Sequence, residues 1–282
     1  MLFIMIYMEG EIKRMEKDLK LAVLIDADNI SDKYIKIILD ETAKNGIATY
    51  KRIYGDWTST RNSSWKSVLL DNSIMPIQQY SYTVGKNATD SAMIIDAMDI
   101  LYSGTVDGFC IVSSDSDFTR LVARLRESGM MVVGMGESKT PKPFISACNQ
   151  FKYLDILLTN EQEEEAAPIE ETAVVKKAAS KKKPVVSTIE PKPQTDLKVI
   201  RKAIISIVKE NSEDDGWINP SVLKNQLTKR YPDFDVRNFG YSKFTSFINS
   251  LTILKSSRSN NLVKYQYIEP NANTKKGHME NK

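Results

Sequence analysis

Two unbroken apolar runs frame the N-terminal half of the chain. Leu21-Ala22-Val23-Leu24-Ile25 stops at Asp26-Ala27-Asp28-Asn29, and Phe109-Cys110-Ile111-Val112 stops at Ser113-Ser114-Asp115-Ser116-Asp117. Runs without polar alternation are what a strand buried on both faces requires, so both are predicted to lie in a parallel sheet covered by helices. Around them strand and helix patterns alternate. Tyr34, Ile35, Ile38 and Leu39 share a helical face that ends at Asn45-Gly46, a C-cap signal. Residues 47–54 read as a strand, 63–70 as a short helix, and 75–80 as a strand that Pro76 confines to the neighbourhood of an edge. Thr89-Asp90 opens a helix through Met93, Ala97, Met98 and Leu101, which places Asp90 in a first turn. Phe118, Leu121, Val122 and Leu125 predict a helix closed by Gly129; a strand over 130–134 and a helix around 144–151 follow.

The pattern breaks after residue 158. A Glu-rich block (Glu161, Glu163–Glu165, Glu170, Glu171) precedes a Lys-rich one (Lys176, Lys177, Lys181–Lys183), with prolines at 168, 184, 191 and 193. Like-charge blocks with so few large apolar residues bury too little surface to order themselves, so 159–195 is expected to be a disordered linker. As a tether of about 35 residues it has an r.m.s. reach of roughly 30–35 Å. Periodicity returns at Asp196. Leu197, Ile200, Ile204 and Ile207 trace one helix, Asn219-Pro220 starts a second, and Phe244, Phe247, Ile248 and Leu251 trace a third. Asn260-Asn261 then turns a hairpin alternating through Val263, Tyr265 and Tyr267. The expected organisation is an extension over 1–18, an α/β domain over 19–158, the linker, a winged helix over 196–270 and a disordered tail over 271–282.

The chain has 282 residues, 41% hydrophobic and 27% charged, with a formal net charge of +3 that by itself selects no partner. Its distribution says more: residues 20–160 hold 15 Lys and Arg against 16 Asp and Glu, whereas residues 196–269 hold 12 against 8, so the second module is the one expected to meet a polyanion. Cys110 and Cys148 read as core thiols of a reducing compartment. The single histidine, His278, leaves no Ser-His-Asp, Cys-His or His-zinc arrangement to assemble. The apolar stretch Met1 to Met8 cannot span a bilayer; with Met5, Met8 and Met15 each able to serve as a start, it is read as an over-long start or a short leading strand, and the protein as cytoplasmic.

In one parallel sheet the two apolar strands end on the same edge, where open α/β sheets bind ligands, so Asp26, Asp90 and Asp115 are predicted to converge. Two carboxylates about 4 Å apart repel by roughly 4 kcal/mol at an effective dielectric of 20, which calls for a bound cation or raised pKa values. Oxygen donors without Cys or His favour Mg²⁺ or Mn²⁺, an ion that lowers the pKa of a water and stabilises charge on a phosphodiester oxygen. Asp28, Asn29 and Asp117 are each open to plain helix capping as well. Asp96 falls on another face of the Asp90 helix and reads as structural. Lys86 is placed to meet a phosphate or simply solvent. In the second module Trp217, Phe244 and Phe247 read as core, while Tyr241, Lys243, Lys255, Arg258 and Lys264 are the contact candidates.

Three stretches in this order, Leu24-Ile25-Asp26-Ala27-Asp28-Asn29, Gly85-Lys86-Asn87-Ala88-Thr89-Asp90 and Val112-Ser113-Ser114-Asp115-Ser116-Asp117-Phe118, resemble the NYN domain, the LabA-like branch of the PIN-type nuclease superfamily, over about residues 19–158. Asp215-Gly216-Trp217-Ile218, Tyr231-Pro232, Phe239-Gly240 and Phe244 resemble the LOTUS domain, also called OST-HTH, over about residues 196–269. The resemblance implies a PIN-like three-layer α/β/α fold with a mainly parallel sheet plus a small LOTUS-like winged helix. It implies a metal-dependent ribonuclease with Asp26, Asp90, Asp115 and Asp117 as catalytic and metal positions, Mg²⁺ or Mn²⁺ as cofactor and RNA as partner. Asn29, Lys86, Ser114, Lys243, Arg258 and Lys264 are the expected substrate contacts. Ser114 stands where the family often has glycine, and the family's common Asp is Asn149 here, read as structural. Three other readings remain open: a non-catalytic RNA-binding regulator that keeps the metal pocket, a phosphatase of the haloacid dehalogenase type suggested by Asp26-Ala27-Asp28, and a second module that docks a protein or a second copy instead of RNA.

Overall fold

The computed structural model describes residues 18–80, 88–166, 191–212, 215–259 and 262–268. Strand β1 (Lys20–Asp26) leads through helix α1 (Ile35–Ala43) to β2 (Ile47–Gly55). A 3-10 segment (Thr60–Trp65) and α2 (Lys66–Leu69) lead to β3 (Met75–Gln78), and α3 (Ala88–Ser103) to β4 (Gly108–Val112). Helix α4 (Thr119–Glu127), β5 (Met131–Gly136), α5 (Lys142–Ala147), β6 (Gln150–Tyr153) and α6 (Leu154–Ala166) complete the unit. The strand order is β3-β2-β1-β4-β5-β6, every neighbouring pair is parallel, and Pro76 sits on the edge strand β3.

The pleat divides each apolar run between two cores. Ala22, Leu24, Phe109 and Ile111 pack beneath α3, α4 and α5, while Leu21, Val23, Ile25, Cys110 and Val112 pack beneath α1, α2 and α6. Alternation carries the next even position of β1, Asp26, and the next odd position beyond β4, Ser113, to the α3 side. Apolar run and pleat together thus aim the strand-end polar groups toward the α3 side of the sheet.

Residues 144–151 were expected to be one helix, and they are not. Helix α5 stops at Ala147 because Asn149 crosses to β5, its N–H donating to Val132 O at 2.9 Å and its Oδ1 accepting the Val132 N–H at 2.9 Å. Gln150 then begins β6, a strand with only four residues and too short to show periodicity. The expected linker also begins later than residue 159, since α6 runs to Ala166.

The second module consists of α7 (Leu197–Asn211), β7 (Trp217–Ile218), α8 (Pro220–Arg230), α9 (Phe244–Ser250) and the hairpin β8 (Leu254–Ser259) and β9 (Leu262–Tyr267). Ile204, Ile207, Leu223, Phe247 and Tyr265 fill its core. Trp217 lies outside that core, contrary to expectation. It is half-buried in β7 opposite Gln266, with Lys255 Nζ 5.5 Å from its ring centroid.

This module is docked, where the sequence suggested a free tether. Phe151 N–H donates to Pro232 O at 2.7 Å, covering the exposed edge of β6. Tyr153 Oη donates to Asp233 at 3.0 Å, and Thr195 Oγ1 to the same carboxylate at 2.7 Å. Arg237 grips Glu41 of α1 through two bonds of 2.6 and 2.9 Å and also bonds Asp235, which receives Lys152 Nζ at 2.8 Å. Glu41 and Arg237 are 196 positions apart and leave no local trace; only the fold makes them neighbours.

Candidate metal centre

Asp26 ends β1 fully buried. Its Oδ2 accepts from Asn29 Nδ2 and Ser113 Oγ, both at 2.7 Å, and its Oδ1 accepts the Asp28 N–H at 3.0 Å. Burial raises its pKa, and those three bonds pull the other way without reversing the shift. A carboxylate offers about four lone-pair sites, so little acceptor capacity is left for an ion.

Asp90 lies in the first turn of α3 beside Thr89, whose Oγ1 donates to Asp28 Oδ2 at 2.9 Å. Asn62 Nδ2 reaches the other Asp28 oxygen at 3.3 Å. Asp28 therefore ties β1, the Thr60–Trp65 turn and the start of α3 together. Asp115 caps the 3-10 turn Ser116–Phe118 by accepting the Asp117 N–H at 2.9 Å, and its own N–H donates to Ser113 Oγ at 3.0 Å. Gly136 lets β5 approach this loop: a Cβ there would stand 2.7 Å from Ser113 O and 3.1 Å from Ser114 Oγ.

Asp90, Asp115 and Asp117 each present one carboxylate oxygen, and the three oxygens lie within 4.8 Å of one another. Burial, followed by the negative charges of Asp26, Asp115, Asp117 and Asp28, pushes the Asp90 carboxyl up to about 6. Among the described residues no Lys or Arg ion-pairs with Asp26, Asp90 or Asp115. An all-oxygen donor set in which burial and neighbouring carboxylates disfavour the lone negative charge of Asp90 fits a hard divalent ion such as Mg²⁺ or Mn²⁺.

The expectation was a convergence of Asp26, Asp90 and Asp115; the group whose oxygens lie close together is a different one. Asp117 joins Asp90 and Asp115, and Asp26 stands outside that group of three. Asp26 instead accepts from Ser113, which no spacing rule singled out as its partner. Asn29 points at Asp26 as an orienting donor. Ser114 is buried, and its hydroxyl accepts the Glu137 N–H at 2.9 Å, a structural use. Lys86 lies outside the described residues. Lys243 precedes α9, Arg258 lies on β8 and Lys264 on β9, so the three belong to the second module and not to the acidic group. Tyr241 packs edge-on against Phe247, which removes it from the free contact candidates. Asp96 is held by Arg52 and Tyr54, as a structural role requires. Thr89 and Asn62 were not legible as supports because hydrogen bonds across 61 and 34 positions leave no sequence pattern.

Residues 20–155 match the NYN domain family, and residues 195–261 match the OST-HTH/LOTUS domain family. No curated protein matches the chain. A crystal structure of a protein of unknown function from Vibrio parahaemolyticus RIMD 2210633 is similar at 18% identity, covering 49% of this chain and 94% of that one with a TM-score of 0.42.

Proposed function

We propose that this chain, an NYN domain followed by an OST-HTH/LOTUS domain, is a divalent-metal-dependent ribonuclease acting on RNA phosphodiesters in the cytoplasm. One observation carries the reading: three carboxylates from two separate elements aim oxygens at a common point while no described cation neutralises Asp90 or Asp115. Asp90, Asp115 and Asp117 would hold Mg²⁺ or Mn²⁺. Such an ion, when bound, supplies a water of lowered pKa and charge stabilisation at the phosphate. Asp26 acts from behind, its buried charge raising the affinity of Asp90 for a cation or a proton. Asn29 and Ser113 fix the Asp26 carboxylate so that it cannot rotate away. The second module supplies further RNA contacts, with Lys243, Arg258 and Lys264 on its surface.

Asp115→Asn tests this. Asn caps a helical turn nearly as well as Asp, so the Ser116–Phe118 turn and the melting temperature should survive. Mn²⁺-dependent cleavage of single-stranded RNA by the purified full chain should be abolished. Equal cleavage by parent and variant would reject the mechanism. Stabilisation by Mn²⁺ in the parent with no cleavage of any RNA would instead assign the chain as an RNA-binding protein that retains the pocket.

A further inference from the structure

The seam between the two domains has flanks of opposite charge. On one flank a cavity of about 460 Å³ is lined by Asp40, Glu41, Glu161 and Glu163 against two cations, Lys44 and Arg237, so its charged lining is acidic on balance. On the other, two cavities of about 520 and 350 Å³ share Gln150, Thr228, Lys229 and Pro232 and so form one groove. Its cations are Arg126 from α4 and Lys224, Lys229 and Arg230 from α8, with Lys152 at its floor. Among the described residues Asp235 is the single carboxylate on the groove wall, and Lys152 and Arg237 already pair with it. Arg230 shares its charge with the exposed Glu210, and Arg126 is steadied by a 2.8 Å bond to Ala147 O. Asn149, Gln150, Asn225 and Thr228 add uncharged donors and acceptors between these cations.

Resting on the ribonuclease reading above, we propose that this groove binds the phosphodiester backbone of RNA through both domains at once. Cations spaced along a concave seam with amide and hydroxyl groups between them suit phosphate and sugar contacts, which position a strand without reading its sequence. The groove lies at the amino ends of β5 and β6, near Met131 and Gln150, whereas the acidic group lies at the opposite, carboxyl edge of the sheet. The two are separated by the length of β5, about 20 Å at roughly 3.3 Å per residue. Only an RNA long enough to pass over the sheet end can occupy both. The groove would therefore act as an exosite that favours long substrates and orients them toward the acids.

The test uses the full chain carrying Asp115→Asn, without divalent metal, so that binding is measured apart from cleavage. Affinity for an unstructured 20-nucleotide RNA and for a pentamer is read by fluorescence anisotropy across a salt series. Lys224→Glu/Lys229→Glu should weaken 20-mer binding at least tenfold, flatten the salt dependence by about two units of slope and leave the pentamer little changed. Lys198→Glu/Lys202→Glu, an equal charge change on exposed positions of α7, should cost less than threefold. Should the charge reversal fail to fold by circular dichroism, Lys224→Gln/Lys229→Gln should show about one unit less salt slope and a smaller loss. Unchanged 20-mer affinity in the α8 variants, or equal losses in the α7 variant, overturns the proposal. If the α8 variants keep RNA but lose binding of a poly-glutamate peptide, the groove docks an acidic protein and the proposal also fails. Cleavage of the pentamer by the same α8 variants with Asp115 restored and Mn²⁺ added reports on the acidic centre independently, so an inactive centre and a non-binding groove give different results.

Discussion

Glu41 at the domain seam is as deeply buried as Asp26 at the sheet edge, at 2% and 0% exposure, yet the two carboxyls move in opposite directions. Burial raises both. At the seam, Arg237, Lys44 and Lys152 outweigh it and leave Glu41 lowered, and Arg237 and Lys152 hold Asp235 well below the usual carboxylate range. At the sheet edge the charges acting on Asp90 are other carboxylates, so burial and repulsion add. The fold thus sets the buried acids of the seam against cations and sets Asp90 among other carboxylates.

The comparison breaks most visibly at Arg237. Arg237→Ala leaves Glu41 and Asp235 buried with their main cation gone, and removing one partner of a buried pair costs about 3–5 kcal/mol. Thermal melts should show a large drop, and hydrogen exchange should rise at Phe151, whose N–H pairs with Pro232 only while the module is docked. An unchanged melt would remove the seam network from the account of how the domains hold together.

The acidic centre should respond with the opposite sign. The Asp90 carboxyl titrates near 6 in the folded chain, above its ordinary value near 3.8, so the native state binds the extra proton between those limits. Its stability therefore falls as pH rises from about 4 to 6, and Asp26, also raised, acts in the same direction. Asp90→Asn should flatten that slope and raise stability at pH 7 by up to about 3 kcal/mol, the equivalent of two pKa units. Mn²⁺ at pH 7 should stabilise the parent more than the variant. A variant less stable than the parent at pH 7 would show that Asp90 is compensated after all. The seam acids, being lowered, lose their contribution only as pH falls beneath the normal carboxylate range.

The smallest effect sharpens the contrast between cations of one network. Lys44 also reaches Glu41, at 2.6 Å, but its side chain is 59% exposed. Lys44→Ala should cost no more than about 1 kcal/mol in the same melts, well below Arg237→Ala. Comparable losses would mean that solvent screening does not rank these pairs.

Much of this was legible in the chain itself. Apolar runs gave the central strands, caps and glycines gave most helix ends, and acids at the ends of apolar runs pointed to the sheet edge where Asp90, Asp115 and Asp117 meet. Short or shared elements escaped: β6 has four residues and β7 two, and Trp217 looked like core because aromatic type does not tell which face of a short strand is covered.

What the sequence determined alone was which residues seek burial and with what period, because hydrophobic periodicity is a local property written every two or every 3.6 residues. Which charges end beside one another was decided only in three dimensions. Ser113 reaches Asp26 across 87 positions and Arg237 reaches Glu41 across 196, and no local pattern encodes either contact. Electrostatic energy depends on distance in space, so it was the tertiary structure that gathered Asp90, Asp115 and Asp117 at the sheet edge, paired the acids of the seam and opened a basic groove where two domains of nearly independent pattern come together.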